Sequence, residues 1–182
     1  MLETPEELVR LQDLLDQSMA SAGPHLHDII GTEVRLNARQ LTERLTGMRL
    51  LVLATVTADG RPLTAPVDGY FLHGAFWFSL GAMAVRASHL TARPQASATH
   101  LPDEALAVTV HGSAQRYDFR GNECAELRQA MLDHYLPLQG PSFAEWMDEV
   151  DAVAARLVPA RMFTFHMEDS GPSSPAESAR VA

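Results

Sequence analysis

Hydrophobic positions recur along this chain with two different periods, and the change falls at Met48. Before it the spacing is helical. Leu8, Leu11, Leu15 and Met19 return every three or four residues, Leu14 widens the stripe, and Gln12, Asp13, Asp16 and Gln17 fill the opposite face. Thr4-Pro5-Glu6-Glu7 supplies a start, with Thr4 as N-cap, Pro5 at the first helical position and Glu7 closing a capping box. Gly23-Pro24 supplies the stop. A helix is therefore predicted over 4–20. It cannot bury its own stripe, so it packs on the rest of the chain or on a partner subunit. Residues 25–35 fit neither period. A second short helix is predicted over 37–46, capped by Asn37 with Gln40 three residues on, and ended by Gly47.

From Met48 the pattern is that of strands. Apolar, β-branched-rich runs flank Asp59-Gly60, a strong hairpin signal, and His73-Gly74 marks a second tight turn. Strands are predicted over 50–57, 62–71, 75–80, 95–101, 105–116 and 160–167. Helices are predicted over 83–92, closed by Arg93-Pro94, and over 121–136 and 142–156. Six strands in largely consecutive hairpins, with helices inserted, predict an α+β fold that is mainly β: an antiparallel barrel with helical additions. The expected organisation is an N-terminal helical segment over 1–47, a barrel domain over 48–168 and a disordered tail over 169–182. The tail carries Gly-Pro-Ser-Ser-Pro and no aromatic residue, and is expected to contribute nothing to folding.

Composition narrows the function. Of 182 residues, 46% are apolar, enough for one sizeable core. A formal net charge of -9 argues against a nucleic-acid partner, which a basic face would attract. A single cysteine, Cys124, allows no internal disulfide and fits a reducing, cytoplasmic setting. The acidic Met1 end predicts no secretory signal, and no apolar run approaches the roughly 20 residues that span a bilayer.

Familiar catalytic signatures are missing. The sequence has no Gly-x-Gly-x-x-Gly, no phosphate-binding P-loop, no Gly-x-Ser-x-Gly and no His-Glu-x-x-His. The eight histidines have no compact ligand spacing, so no metal site is expected; His100, near a strand end, is the one that could face a pocket. Arg86 is the strongest single candidate. It opens a short helix after a strand, where free backbone N–H groups and a guanidinium together favour an anion; the alternative is a solvated surface arginine. Phe76, Trp77 and Phe78 read as packing rather than as a stacking platform. Asp68 interrupts an apolar strand. It either belongs to a cofactor site or faces solvent at an edge.

Leu53-Ala-Thr-Val-Thr-Ala-Asp-Gly-Arg-Pro62, Thr64-Ala-Pro-Val67, Phe76-Trp-Phe-Ser79, Val85-Arg86-x-x-x-Leu90, Arg93-Pro94-x-x-Ser97 and Val108-Thr-Val-His-Gly-Ser-Ala114 follow one another in an order that resembles the pyridoxamine 5'-phosphate oxidase-like family. That resemblance implies a split β-barrel, usually a homodimer, with two sites at the subunit interface for FMN, for the deazaflavin F-420, or less often for haem. It implies that Ala65, Pro66, Val67 and Asp68 run beside the isoalloxazine and ribityl chain, that Ser79 and Leu80 lie near the cofactor, and that Val85 and Arg86 meet its phosphate. The sequence departs from the oxidase itself at Ala65, Tyr70 and Ala107, where that enzyme has arginine, lysine and glutamine, and at Ala82 and Met83, where polar residues are usual. The expected function is a flavin- or deazaflavin-dependent oxidoreductase acting on a small molecule. The alternative is a non-catalytic flavin- or haem-binding protein, or a cofactor-free dimeric barrel.

Overall fold

A computed structural model describes residues 2–167. The tail expected over 169–182 lies outside the described residues.

Six antiparallel strands close a barrel in the order β1-β2-β3-β6-β5-β4. They are β1 (Met48–Val56), β2 (Pro62–Leu72), β3 (Ala75–Gly81), β4 (Gln95–His100), β5 (Leu106–Asp118) and β6 (Ala152–His166). Both turn signals do what their chemistry allows. Gly60 takes φ 86° in the β1–β2 loop, where the Thr57 amide donates to the Arg61 carbonyl at 3.0 Å. His73 and Gly74 both take positive φ, 53° and 74°, in the two-residue loop between β2 and β3. Such loops need that conformation at both positions so that the strands keep their twist.

The helices begin where the caps predict. In α1 (Pro5–Ala20) the Glu7 amide donates to Thr4 Oγ1, and the Thr4 amide to Glu7 Oε2. Asn37 and Gln40 make the same reciprocal pair at α3 (Ala38–Arg44). Between them lie α2 (Pro24–Ile29) and a 3-10 turn over Thr32–Val34, in the stretch with no clear period. Leu11 and Leu15 of α1 and Leu41 of α3 join the barrel core with Leu51, Leu53, Phe76, Phe78, Val110 and Met162. Buried hydrogen bonds pin this segment to β6. The Met162 amide donates to Ser18 Oγ at 2.9 Å, and the Leu36 amide to Thr164 Oγ1 at 3.0 Å.

One predicted element is wrong. The helix expected over 142–156 stops at Glu149 as α6 (Ser142–Glu149), and β6 begins at Ala152 rather than at 160. Ala152-Val-Ala-Ala-Arg-Leu-Val carries no helix breaker and five good helix formers, three alanines with Arg156 and Leu157, so local preference misleads. Barrel closure overrides it. Phe78 pairs with Ala155 across β3, and Ala114 with Leu157 across β5. The remaining helices are α4 (Val85–Ala92) and α5 (Ala125–Gln139).

A second apolar cluster lies outside the barrel wall. Tyr70, Leu72 and Trp77 on the outer face of β2 and β3 are covered by Leu127 and Met131 of α5 and by Phe143 and Met147 of α6. The aromatic strand and the α1 stripe are thus buried within one chain, and neither is left over for a partner.

At the β2–β3 turn, His73 joins three elements. Its Nδ1 lies 3.0 Å from Glu7 Oε2 on α1, and its Nε2 lies 2.5 Å from Glu126 Oε2 on α5. Both nitrogens can donate only in the imidazolium. Burial pulls the His73 pKa down, but the two carboxylates outweigh it and hold it above the usual 6.5. Burial raises Glu7, and the bonds from His73 and the Thr4 amide bring it below 4.5. The contribution of His73 is complete below 6.5 and is lost as pH rises through its raised value; that of Glu7 is lost only as pH falls through its lowered one. His73→Gln should therefore lower the melting temperature at pH 6 and converge on wild type by pH 9. Parallel melting curves with a pH-independent gap would rule out the charged clasp.

Candidate functional site

The second apolar cluster builds a cavity. It is a cleft of about 600 Å³ between the outer face of β2 and the pair α5–α6. Alternation along β2 puts Pro66, Asp68 and Tyr70 on this side, and β3 contributes Ser79. Met131, Tyr135 and Gln139 reach in from α5, and Phe143 and Trp146 from α6. Arg86, from the first turn of α4, also lines it, beside Pro66. The volume lies within the range of small-molecule and cofactor sites, about 300–1,000 Å³.

Pro66, Val67, Asp68, Ser79 and Arg86, all singled out by sequence, line this one cavity. Three further candidates lie elsewhere. Ala65 is half-buried on the alternate face of β2, and Leu80 sits in the barrel core at 5% exposure. Val85 is exposed at the start of α4. Its position leaves its backbone, rather than its side chain, available to a ligand.

The two ends of the cavity differ in charge. Arg86 Nη1 donates to the Pro66 carbonyl at 2.7 Å, which fixes the guanidinium over β2. It stands beside a helix start capped by Ala84, whose side chain makes no cap bond, so the first amides of α4 keep their capacity for an anion. Two residues further along β2, about 7 Å by strand geometry, Asp68 Oδ2 accepts a hydrogen bond from the Tyr135 hydroxyl. Burial and then the Asp68 bond push the Tyr135 pKa well above its usual value. Tyr70 is also raised, by burial first and then by the neighbouring Tyr135 and Asp68, and its buried hydroxyl has no hydrogen-bond partner among the described residues. Both hydroxyls stay protonated, and so act as donors, at physiological pH.

The histidines have local partners. His100 is buried, with Nδ1 3.0 Å from the Leu50 carbonyl, and does not line the cavity. His89 lies 3.1 Å from Thr55 Oγ1. No group of three or more His, Cys, Asp and Glu among the described residues is arranged to hold a metal ion. Cys124 is fully buried at the start of α5, and burial raises its thiol pKa. No helix among the described residues is long and apolar enough to cross a membrane.

The α5–α6 wall was not foreseen from sequence. Asp68 was the available signal: a carboxylate in an apolar strand requires a donor, and that donor is Tyr135, 67 residues away.

The sequence profile of pyridoxamine 5'-phosphate oxidase matches residues 38–164, from α3 to the end of the barrel. The chain belongs to the pyridoxamine 5'-phosphate oxidase family. The segment before residue 38 lies outside the match. Comparison with curated proteins gives no match. Among solved structures, a conserved hypothetical protein from Mycobacterium tuberculosis superposes with a TM-score of 0.60 at 18% identity, covering 80% of this chain and 99% of that one. The haem storage protein HutZ from Vibrio cholerae gives 0.57 at 20% identity, over 70% and 91% of the two chains. An F420 reductase gives 0.51 at 19%, over 65% and 91%. At these identities the likeness is one of fold.

Proposed function

We propose that this member of the pyridoxamine 5'-phosphate oxidase family binds a phosphorylated flavin, FMN or the deazaflavin F-420, and acts as an oxidoreductase on a small molecule. The observation that carries this reading is the pairing of Arg86 with the uncapped start of α4 at one end of a cleft of about 600 Å³. That is an anion site opening into a space of cofactor size. Solved neighbours named as an F420 reductase and an FAD-binding protein are in keeping with it.

In this reading Arg86 and the Val85 and Arg86 amides hold the phosphate. Pro66 and Val67 support the ring system along β2, and Ser79 offers a hydroxyl beside it. When bound, the cofactor supplies hydride transfer. The chain's own part is to orient the ring between β2 and α5 and to keep water from it with Met131 and Phe143. Among the described residues neither histidine nor cysteine lines the cavity and the Tyr135 hydroxyl is engaged by Asp68, so haem would have to rely on Met131 or the Tyr70 hydroxyl. Mass spectrometry of small molecules released from natively purified protein is the test. A flavin or F-420 is expected; haem, or nothing retained and nothing bound on titration, would overturn the reading.

We further propose a homodimer, on different grounds from those the sequence offers. The apolar faces of α1 and β3 are covered internally, but β1 leaves Leu50 and Val52 56% and 50% exposed, and Leu101, just past β4, is 61% exposed. Leu50 also lines the cavity, so a second copy seated there would complete one wall of the site. Light scattering should give twice the 19.9 kDa chain mass; replacing Val52 with Glu should halve it. A monomeric wild type at micromolar concentration would refute this.

A further inference from the structure

The α5–α6 half of the cavity has features that the binding of a phosphorylated cofactor leaves unused. Among the described residues, the cavity lining holds two charged side chains, Asp68 on β2 and Arg86 on α4, the latter bonded to the Pro66 carbonyl. Asp68 is exposed to the cavity, and one of its oxygens is held by the Tyr135 hydroxyl. That hydroxyl does not titrate near neutrality, so it orients the carboxylate without surrendering a proton to it. Beyond it the wall is aromatic. The Tyr135 and Phe143 rings lie 4.7 Å apart at 35°, and those of Phe143 and Trp146 lie 5.3 Å apart at 31°. With centroids this close and tilts this small the rings stack, Phe143 between the other two, so the face left open is that of Trp146. Trp146 leaves 48% of its surface open.

We propose that this half is a subsite for a flat organic cation, a protonated aromatic amine or N-heterocycle, seated against the open face of Trp146 with Asp68 as its counter-ion. Aromatic faces attract cations through the ring quadrupole, most strongly for tryptophan. A carboxylate fixed by a neutral donor adds a directed acceptor for the ligand's N–H. Asp68 disfavours a phosphorylated or carboxylated ring here, since with Arg86 engaged by the cofactor phosphate it would set a second negative charge beside the carboxylate. Asp68 and Trp146 are thus specificity determinants. The inference rests on the proposed function only in leaving the Arg86 end to the cofactor.

Calorimetric titration of the full-length protein, with and without saturating FMN or F-420, tests it with two probes of similar size. These are 4-aminoquinoline, a cation at neutral pH, and 1-naphthoate, an anion. The cation should bind at least about tenfold more tightly, the scale of one partly desolvated ion pair with a cation–π contact. Asp68→Asn should remove most of that preference while the protein keeps its melting temperature, and Trp146→Leu should weaken both probes. Equal affinity for the two probes, no binding of 4-aminoquinoline, or a preference that survives Asp68→Asn would overturn the subsite. Cofactor affinity is read separately in the same titrations. Cation selectivity without flavin binding would sink the proposed function and keep the subsite, and the reverse result would do the opposite.

Discussion

Replacing Arg86 by alanine should weaken binding of FMN or F-420 by roughly 10- to 150-fold, the equivalent of 1.5–3 kcal/mol for a hydrogen bond to a charged group. Cations are scarce at this site. Among the described residues Arg86 is the sole cation lining the cavity, and Ala65 and Tyr70 stand where the oxidase itself has an arginine and a lysine. The guanidinium is held over β2 by the Pro66 carbonyl at 2.7 Å, so it is oriented before any phosphate arrives. Arg86→Lys should recover only part of the loss, because an ammonium group cannot hold the carbonyl and grip a phosphate with two parallel bonds at once. The fold should not change, since the side chain is only half-buried and lies outside the apolar core. Titration of wild type and both variants decides the matter. Indistinguishable affinities would make Arg86 a surface residue and would remove the anion site on which the proposed function rests.

The largest effect on stability is expected at Gly112. β5 and β6 slip register between His111 and Gly112: His111 pairs with Arg161, Gly112 with Pro159, and Ala160 is left over as a bulge. At this point the strands come very close. A Cβ on Gly112 would lie 2.1 Å from the Val158 carbonyl oxygen and 2.9 Å from its carbon. Both are backbone atoms in a closed barrel, so neither can swing aside as a side chain would. Gly112→Ala should destabilise the protein by about 3 kcal/mol or more, at the upper end of overpacking. For a chain of this length that is a fall of about 6–12 °C in melting temperature. Gly81→Ala is the control, because a Cβ there meets nothing within 4 Å. Equal melting temperatures for the two variants would show that the bulge relaxes at little cost.

Sequence reads well in this protein where a residue's own chemistry decides the outcome. Thr4 and Asn37 cap helices because their side chains reach their own first turns, and Gly60 and Gly74 turn the chain because they tolerate positive φ. It reads poorly where distant partners decide. Ala152 to Val158 becomes strand because β3 and β5 both need an edge filled, and nothing local says so. The site divides in the same way. Asp68 and Arg86 are visible as charges in the wrong company. Tyr135, Phe143 and Trp146 look like ordinary amphipathic helix residues until the two helices fold back over β2. An aromatic triad spread over twelve positions in two helices is a weak signal on its own.

β6 has a consequence for how the molecule comes into being. It is the last strand among the described residues, yet it completes two sides of the barrel at once and also receives the N-terminal segment, through Ser18 of α1 to Met162 and Leu36, just ahead of α3, to Thr164. A ribosome releasing residues at about 5–20 per second would hold β1 to β5 for several seconds as an open sheet whose two flanks lack a neighbour. Closure waits until residues near 160 have emerged. Contacts spanning 128 and 144 positions then form together, the kind of long-range joining that slows folding. During synthesis the nascent chain therefore exposes the unpaired edges of β3 and β5, which makes it a natural client for chaperones that shield such edges.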